Sequence, residues 1–146
     1  RLMSRATFLD DIAMSLGGYV TEKEIFGDIT TGPSNDLQVA TAMARAMVTR
    51  YGMSTLGPVT YVPEGEQRSV SYNKEYSEAY GEKIDGEVKR IVDEAWQRAR
   101  NIILDKRAVL IAIADELMRV ENIEREEFEK ILITHGIPVK KKVEVV

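Results

Sequence analysis

The sequence predicts a mainly α fold: an antiparallel helical bundle with at most one short β element, near residues 59–62. Three observations predict it. Apolar residues recur every three or four positions in one stretch after another, the period of a helix face. Gly-Gly, Gly-Pro and single-glycine breaks separate those stretches where helices would stop. Only Val59-Thr60-Tyr61-Val62 reads as a strand.

The elements follow in order. Ser4 is a candidate N-cap, since its hydroxyl can accept from a free amide in a helix's first turn. Behind it Phe8, Leu9, Ile12, Ala13 and Leu16 form one apolar face. Gly17-Gly18 either ends that helix or admits another backbone at close range. Thr21 to Phe26 is a short helix stopped by Gly27. Asp28 to Asp36 is rich in turn formers and reads as a loop. At its end a strong helix begins, with Leu37, Ala40, Ala44, Met47, Val48 and Tyr51 as its buried stripe and Gly52 as its stop.

Residues 53–75 read as irregular, with Pro63 to Asn73 an exposed loop that has little to bury. Ser77 caps the longest helix, expected to run to about Asp105. Ile84, Val88, Ile91, Val92, Ala95, Ala99 and Ile102 line its apolar face, and Glu87–Arg90 and Glu94–Arg98 are spaced for ion pairs within the helix. A further helix from Arg107 to Arg119 presents Val109, Leu110, Ile113, Ala114 and Leu117. Asn122 marks a turn, and a last helix carries Phe128, Ile131 and Leu132. Gly136 and Pro138 stand in the order expected past a helix end. Residues 140–146 read as a frayed tail, leaving 1–139 as one structured portion.

Composition narrows the function. With 44% hydrophobic and 30% charged residues the chain has the balance of a globular protein, not of a disordered one. A net charge of −4 gives no basic face for nucleic acid, and no nucleic-acid partner is expected. The longest apolar block, Ala108 to Ala114, is far short of the roughly 18–20 residues that span a bilayer, so no transmembrane segment is expected in this chain. It opens at Arg1 on a helix pattern and reads as part of a longer polypeptide.

The chemistry-bearing residues are few. The chain has no cysteine, which excludes a thiol nucleophile and thiolate metal sites. It has one histidine, His135, so a two-histidine metal site cannot be built from it. His135 sits at a helix C-terminus, where it reads as a cap or surface residue. No GxxxxGK[ST] loop occurs to cradle a nucleotide phosphate. Most acids alternate with Lys and Arg as a solvated face; Glu22, Glu24, Asp85 and Glu87 share that reading, Asp85 with an inter-helix hydrogen bond as a second option. Asp36 differs in its setting, where a Gly-Pro loop turns into a helix. It either complements the dipole and caps free amides, or is aimed at a metal held elsewhere, a carboxylate oxygen being an ordinary zinc ligand.

Ile29-Thr30-Thr31-Gly32-Pro33-Ser34-Asn35-Asp36-Leu37, followed by Ala40-Thr41, resembles the TTGA-x-x-D-L segment of the FtsH-type AAA ATP-dependent zinc metalloproteases. Leu2-Met3-Ser4-Arg5, Asp11-Ile12-Ala13-Met14, Leu16-Gly17-Gly18 and Phe26-Gly27 upstream match the same family in order. So do Ala44-Arg45, Met47-Val48, Tyr51-Gly52-Met53-Ser54, Leu56-Gly57-Pro58-Val59, Tyr76-Ser77-Glu78, Ile84-Asp85 and Glu87-Val88 downstream. Tyr19 departs from the family's Gly-Gly-Arg, and Thr21-Glu22-Lys23 from its Ala-Glu-Glu.

The resemblance implies the C-terminal part of a helical zinc peptidase domain. In the family, two histidines of an HExxH helix and a later Asp bind zinc, and the match places that third ligand on Asp36. The HExxH helix would precede Arg1, so the chain alone is expected to be inactive, with no catalytic residue of its own. The resemblance further implies ATP bound by a separate AAA module, a homo- or hetero-hexamer, unfolded or membrane proteins as substrates, and a membrane-associated parent with this domain on the soluble side. The reading from another class is a non-catalytic helical interaction or oligomerisation module, like a pseudoprotease, in which Asp36 is a dipole partner alone.

Overall fold

The computed structural model describes residues 2–61 and 76–140. Among these residues there are six α-helices: α1 (Arg5–Ser15), α2 (Gly17–Thr21), α3 (Ser34–Thr49), α4 (Glu78–Asp105), α5 (Arg107–Val120) and α6 (Arg125–Thr134). There is no strand among the described residues. The mainly α expectation holds. Residues 59–61 are irregular because the end of α3 takes their donors: the Tyr61 amide donates to the Thr49 carbonyl at 2.7 Å, and the Thr60 hydroxyl donates to the same oxygen at 3.2 Å. Val62, the expected loop 63–73 and residues 141–146 of the expected tail lie outside the described residues.

The chain forms two compact units, residues 1–101 and 102–146. In the first, Ser4 caps α1: its φ of −82° and ψ of 163° are extended, and its Oγ accepts from the Thr7 amide at 3.1 Å. Phe8, Ile12, Ala13 and Leu16 are buried, and α1 packs on α3. The glycine pair does not end the helical path. Leu16 donates to Ile12 O at 3.1 Å and Val20 to Leu16 O at 3.0 Å, so α2 resumes after a single turn residue. A π turn, Glu22–Phe26, carries the path on to Gly27.

α3 contributes Ala40, Ala44, Met47 and Val48 to the core, and α4 contributes Ile84, Val88, Ile91 and Ala95. Ile12, Met47, Ile84 and Ile91 are wholly buried, and truncating any of them to alanine would cost about 2–5 kcal/mol. Tyr51 lies past the end of α3 and, contrary to the stripe expected of it, is 53% exposed, with its ring tilted on Phe8 at 5.5 Å between centroids. Gly52 then turns the chain with φ +58°, and a β-carbon there would stand 2.8 Å from the Pro58 Cα. Both the conformation and the close approach require glycine.

Ser77 caps α4 as expected, accepting from the Tyr80 amide at 3.2 Å. The charged pattern along α4 differs from its spacing in two respects. Glu87 is buried, at 7% exposure, with Arg90 donating to it and to Glu94 at 2.7 Å each. Arg98 leaves Glu94 and pairs with Asp10 of α1 at 2.6 Å. A long side chain on a packed helix reaches a neighbouring element as readily as its own next turn. Asp85 takes its inter-helix option, with Arg45 at 3.4 Å.

In the second unit α5 packs with α6. Of the apolar residues expected along α5, Val109 is buried, while Leu117 is exposed. α6 ends in a Schellman motif: Ile137 N donates to Leu132 O at 2.9 Å, Gly136 N to Ile133 O at 3.0 Å, and Gly136 has φ +77°. No helix among the described residues is long and apolar enough to cross a membrane.

Candidate metal-ligand site

Asp36 stands in the first turn of α3, because α3 starts at Ser34, inside the stretch that the loop reading carried to Asp36. Two backbone bonds make that start. Ser34 N donates to Thr31 O at 3.2 Å, and Leu37 N donates to Pro33 O at 3.0 Å. Pro33 suits the position before the first turn, since its ring fixes φ and it has no amide to satisfy. Its side chain is buried.

The carboxylate of Asp36 does not cap its helix. No side chain caps the start of α3, and Asp36 is exposed, with neither hydrogen bond nor ion pair among the described residues. Its Oδ2 lies 3.9 Å from where a β-carbon on Gly18 would stand. A β-carbon on Gly17 would meet nothing within 4 Å and the one on Gly18 only this side-chain oxygen, so neither glycine is required by a close backbone approach, and the pair does not end the helix either.

The loop before α3 is held from one side by Glu22. Its Oε2 accepts the Thr30 amide at 2.9 Å, and its Oε1 accepts the Thr30 hydroxyl at 2.8 Å. The Thr30 oxygen accepts in turn from the Gly32 amide at 3.1 Å. Glu24 of the same π turn accepts from Arg100 of α4 at 2.8 Å. The charge pattern had assigned both acids to a solvated face. Their partners lie 8 and 76 residues away, beyond the reach of any local rule. Thr30 two residues before a glycine was the one visible hint that a hydroxyl would organise this loop.

His135 belongs to the other unit, at the C-terminus of α6, as the sequence indicated. Its Nδ1 lies 2.8 Å from the Ile131 carbonyl. A carbonyl can only accept, so this nitrogen donates. Among the described residues no three His, Cys, Asp or Glu side chains converge to hold a metal. The donor set here therefore fits one ligand position: a free, anionic oxygen donor of the type that binds zinc at roughly 2.0–2.2 Å. It does not fit a whole site.

Residues 1–131 match peptidase family M41. The FtsH ATP-dependent zinc metalloprotease of Thermus thermophilus is 37% identical over 139 residues, which is 94% of this chain and 22% of that protein. The one from Lancefieldella parvula is 46% identical over 134 residues, 90% of this chain and 21% of its own length. FtsH 1 of Conexibacter woesei is 41% identical over 136 residues, 90% and 21% respectively. The chain thus spans about a fifth of the length of the curated relatives it matches. Because the match covers residues 1–131 of the 146, from the Ser4 cap through the Glu22-held loop and Asp36 into α6, the chain belongs to peptidase family M41.

Proposed function

We propose that residues 1–139 are the C-terminal portion of the peptidase domain of an ATP-dependent zinc metalloendopeptidase, and that Asp36 is its third zinc ligand. One observation carries this reading: a carboxylate in the first turn of a helix, exposed, that neither caps the helix nor pairs with a cation. An acid serving only the dipole would gain by also accepting the free amides beside it. With one histidine in 146 residues, the two histidine ligands come from an HExxH helix outside this sequence.

When bound, zinc supplies Lewis-acid activation of a water and of the peptide carbonyl. This chain's own residues set where the Asp36 side chain leaves the backbone. The backbone bonds that start α3 set the direction of its Cα–Cβ bond, and Gly18 leaves space beside Oδ2. Helices α1, α3 and α4 supply the packed scaffold behind it. The rest of the reading concerns the longer protein: ATP on a separate AAA module, a hexameric assembly, unfolded or membrane proteins as substrates, and a membrane anchor elsewhere in the polypeptide.

The test is Asp36→Ala in the full-length protein. Proteolysis and stoichiometric zinc should be lost while ATP hydrolysis stays largely intact. Wild-type proteolysis in that variant would show that Asp36 is not a ligand. The 146-residue chain alone should neither hydrolyse casein nor hold one zinc tightly. If the polypeptide upstream of Arg1 carries no HExxH, the chain is instead a helical interaction module.

A further inference from the structure

We propose that Glu22 is a positioning residue for Asp36: its carboxylate locks the loop from which α3 starts, and so fixes where the metal-binding oxygen stands. The proposal rests on the reading of Asp36 as a zinc ligand and assigns a separate role to a second acid.

The geometry is specific. Glu22 opens the π turn that follows α2, and both of its oxygens are committed to one residue of the loop, Oε2 to the Thr30 amide at 2.9 Å and Oε1 to the Thr30 hydroxyl at 2.8 Å. The hydroxyl passes the constraint forward by accepting the Gly32 amide at 3.1 Å. The next backbone bonds, Ser34 N to Thr31 O and Leu37 N to Pro33 O, already belong to the start of α3. An unbroken series of hydrogen bonds and short covalent links therefore leads from Glu22 to the turn that holds Asp36. The loop is tight around it, since a β-carbon on Gly32 would stand 3.2 Å from the Thr30 Oγ1 and 3.5 Å from the Glu22 Oε1.

The same segment runs near Asp36, since a β-carbon built on Gly18, four residues before Glu22, would stand 3.9 Å from the Asp36 Oδ2. Since both Glu22 oxygens already accept charge-assisted bonds, Glu22 acts through the loop and not as a ligand. Groups that orient a metal ligand in this way are worth about 10–100-fold in metal affinity when removed.

The experiment uses the full-length protein, with zinc as the probe. Zinc release to a chromogenic chelator, thermal unfolding and ATP hydrolysis are measured for Glu22→Ala, Glu22→Gln and Thr30→Val. Hydrogen exchange of the 28–33 peptide is followed in the zinc-free protein. Glu22→Ala should release zinc at least about tenfold faster, with faster exchange at 28–33 and unchanged ATP hydrolysis. Glu22→Gln keeps an acceptor for the Thr30 amide and a donor for the Thr30 oxygen, and should return close to wild type on every readout. Thr30→Val keeps the shape and removes the hydroxyl, and should reproduce part of the loss without unfolding. Wild-type zinc retention in both Glu22→Ala and Thr30→Val would overturn the proposal. So would a Gln variant as impaired as the Ala variant, because the charge itself would then be what matters. Intact zinc binding in Asp36→Ala would instead overturn the reading on which the proposal rests.

Discussion

Arg100 of α4 donates from Nε to the Glu24 Oε1 at 2.8 Å, tying the longest helix to the π turn that carries Glu22. The Glu24 side chain is 18% exposed and that of Arg100 35%, whereas the Arg98–Asp10 pair is more than half exposed on both sides. Water competes less at the first pair, and burial leaves either partner costlier to strand. Glu24→Ala should therefore cost about 1.5 kcal/mol, as for a hydrogen bond to a charged group. Asp10→Asn should cost under about 1 kcal/mol, as for an exposed ion pair. Urea unfolding of the two variants checks this, and equal losses would refute the ranking.

A second expectation concerns pH. Arg119 donates to both oxygens of Glu116 on α5, at 2.5 Å and 3.1 Å. These bonds outweigh the opposing effect of burial and, with the guanidinium charge adding to them, hold the Glu116 carboxyl below the usual carboxylate range. The folded-state pKa is thus lower than the unfolded value of about 4.3. Between the two values the unfolded chain binds more protons, so stability rises with pH there. The contribution is fully present above about pH 4.3 and fades as pH falls through the folded-state value. An NMR titration of the Glu116 side chain should show the low midpoint, and Arg119→Gln should return it toward the ordinary range. A midpoint that Arg119→Gln does not move would show that the fork is not its cause.

Much of the fold could be read from the residues because its signals are local. Ser4 and Ser77 cap through their own hydroxyls, Gly52 and Gly136 turn the chain at helix ends, and the period of α1, α3 and α4 names most of the core, missing at the helix ends, where Tyr51 and Ile102 are exposed. The place of Asp36 at the start of a helix was legible as well, since the Gly-Pro turn before it and the helix after it are adjacent in sequence. What could not be read is the set of interactions whose partners meet only after folding. Glu22 reaches Thr30, Glu24 reaches Arg100 and Arg98 reaches Asp10, while the charge pattern made Glu22 and Glu24 part of a solvated surface and the spacing paired Arg98 with Glu94. Glu87 is buried for a related reason: it lies beside Val88 on the packed side of α4, where Arg90 can still cover its carboxylate. At Gly17-Gly18 the residue type alone did not tell that the backbone bonds run on into α2.

The turn after α5 supplies the last prediction. Glu121 has φ 62° and ψ −38°, and the Asn122 amide donates to the Val120 carbonyl at 2.7 Å. A bond that spans a single residue at positive φ and negative ψ is a γ-turn of the rare, strained kind. Among the described residues Glu121 is the one non-glycine residue at positive φ, and the spacing drew attention instead to Asn122, its neighbour. Glycine would relieve strain of about 1–3 kcal/mol, while the added freedom of the unfolded chain would return about 0.4–1 kcal/mol of it. Glu121→Gly should therefore stabilise the chain by about 1 kcal/mol net, and Glu121→Val, branched at the β-carbon, should destabilise it. Urea unfolding monitored by circular dichroism distinguishes these signs. A destabilised Gly variant would mean that the turn stores no strain and that the Glu121 side chain, not its backbone, matters at this position.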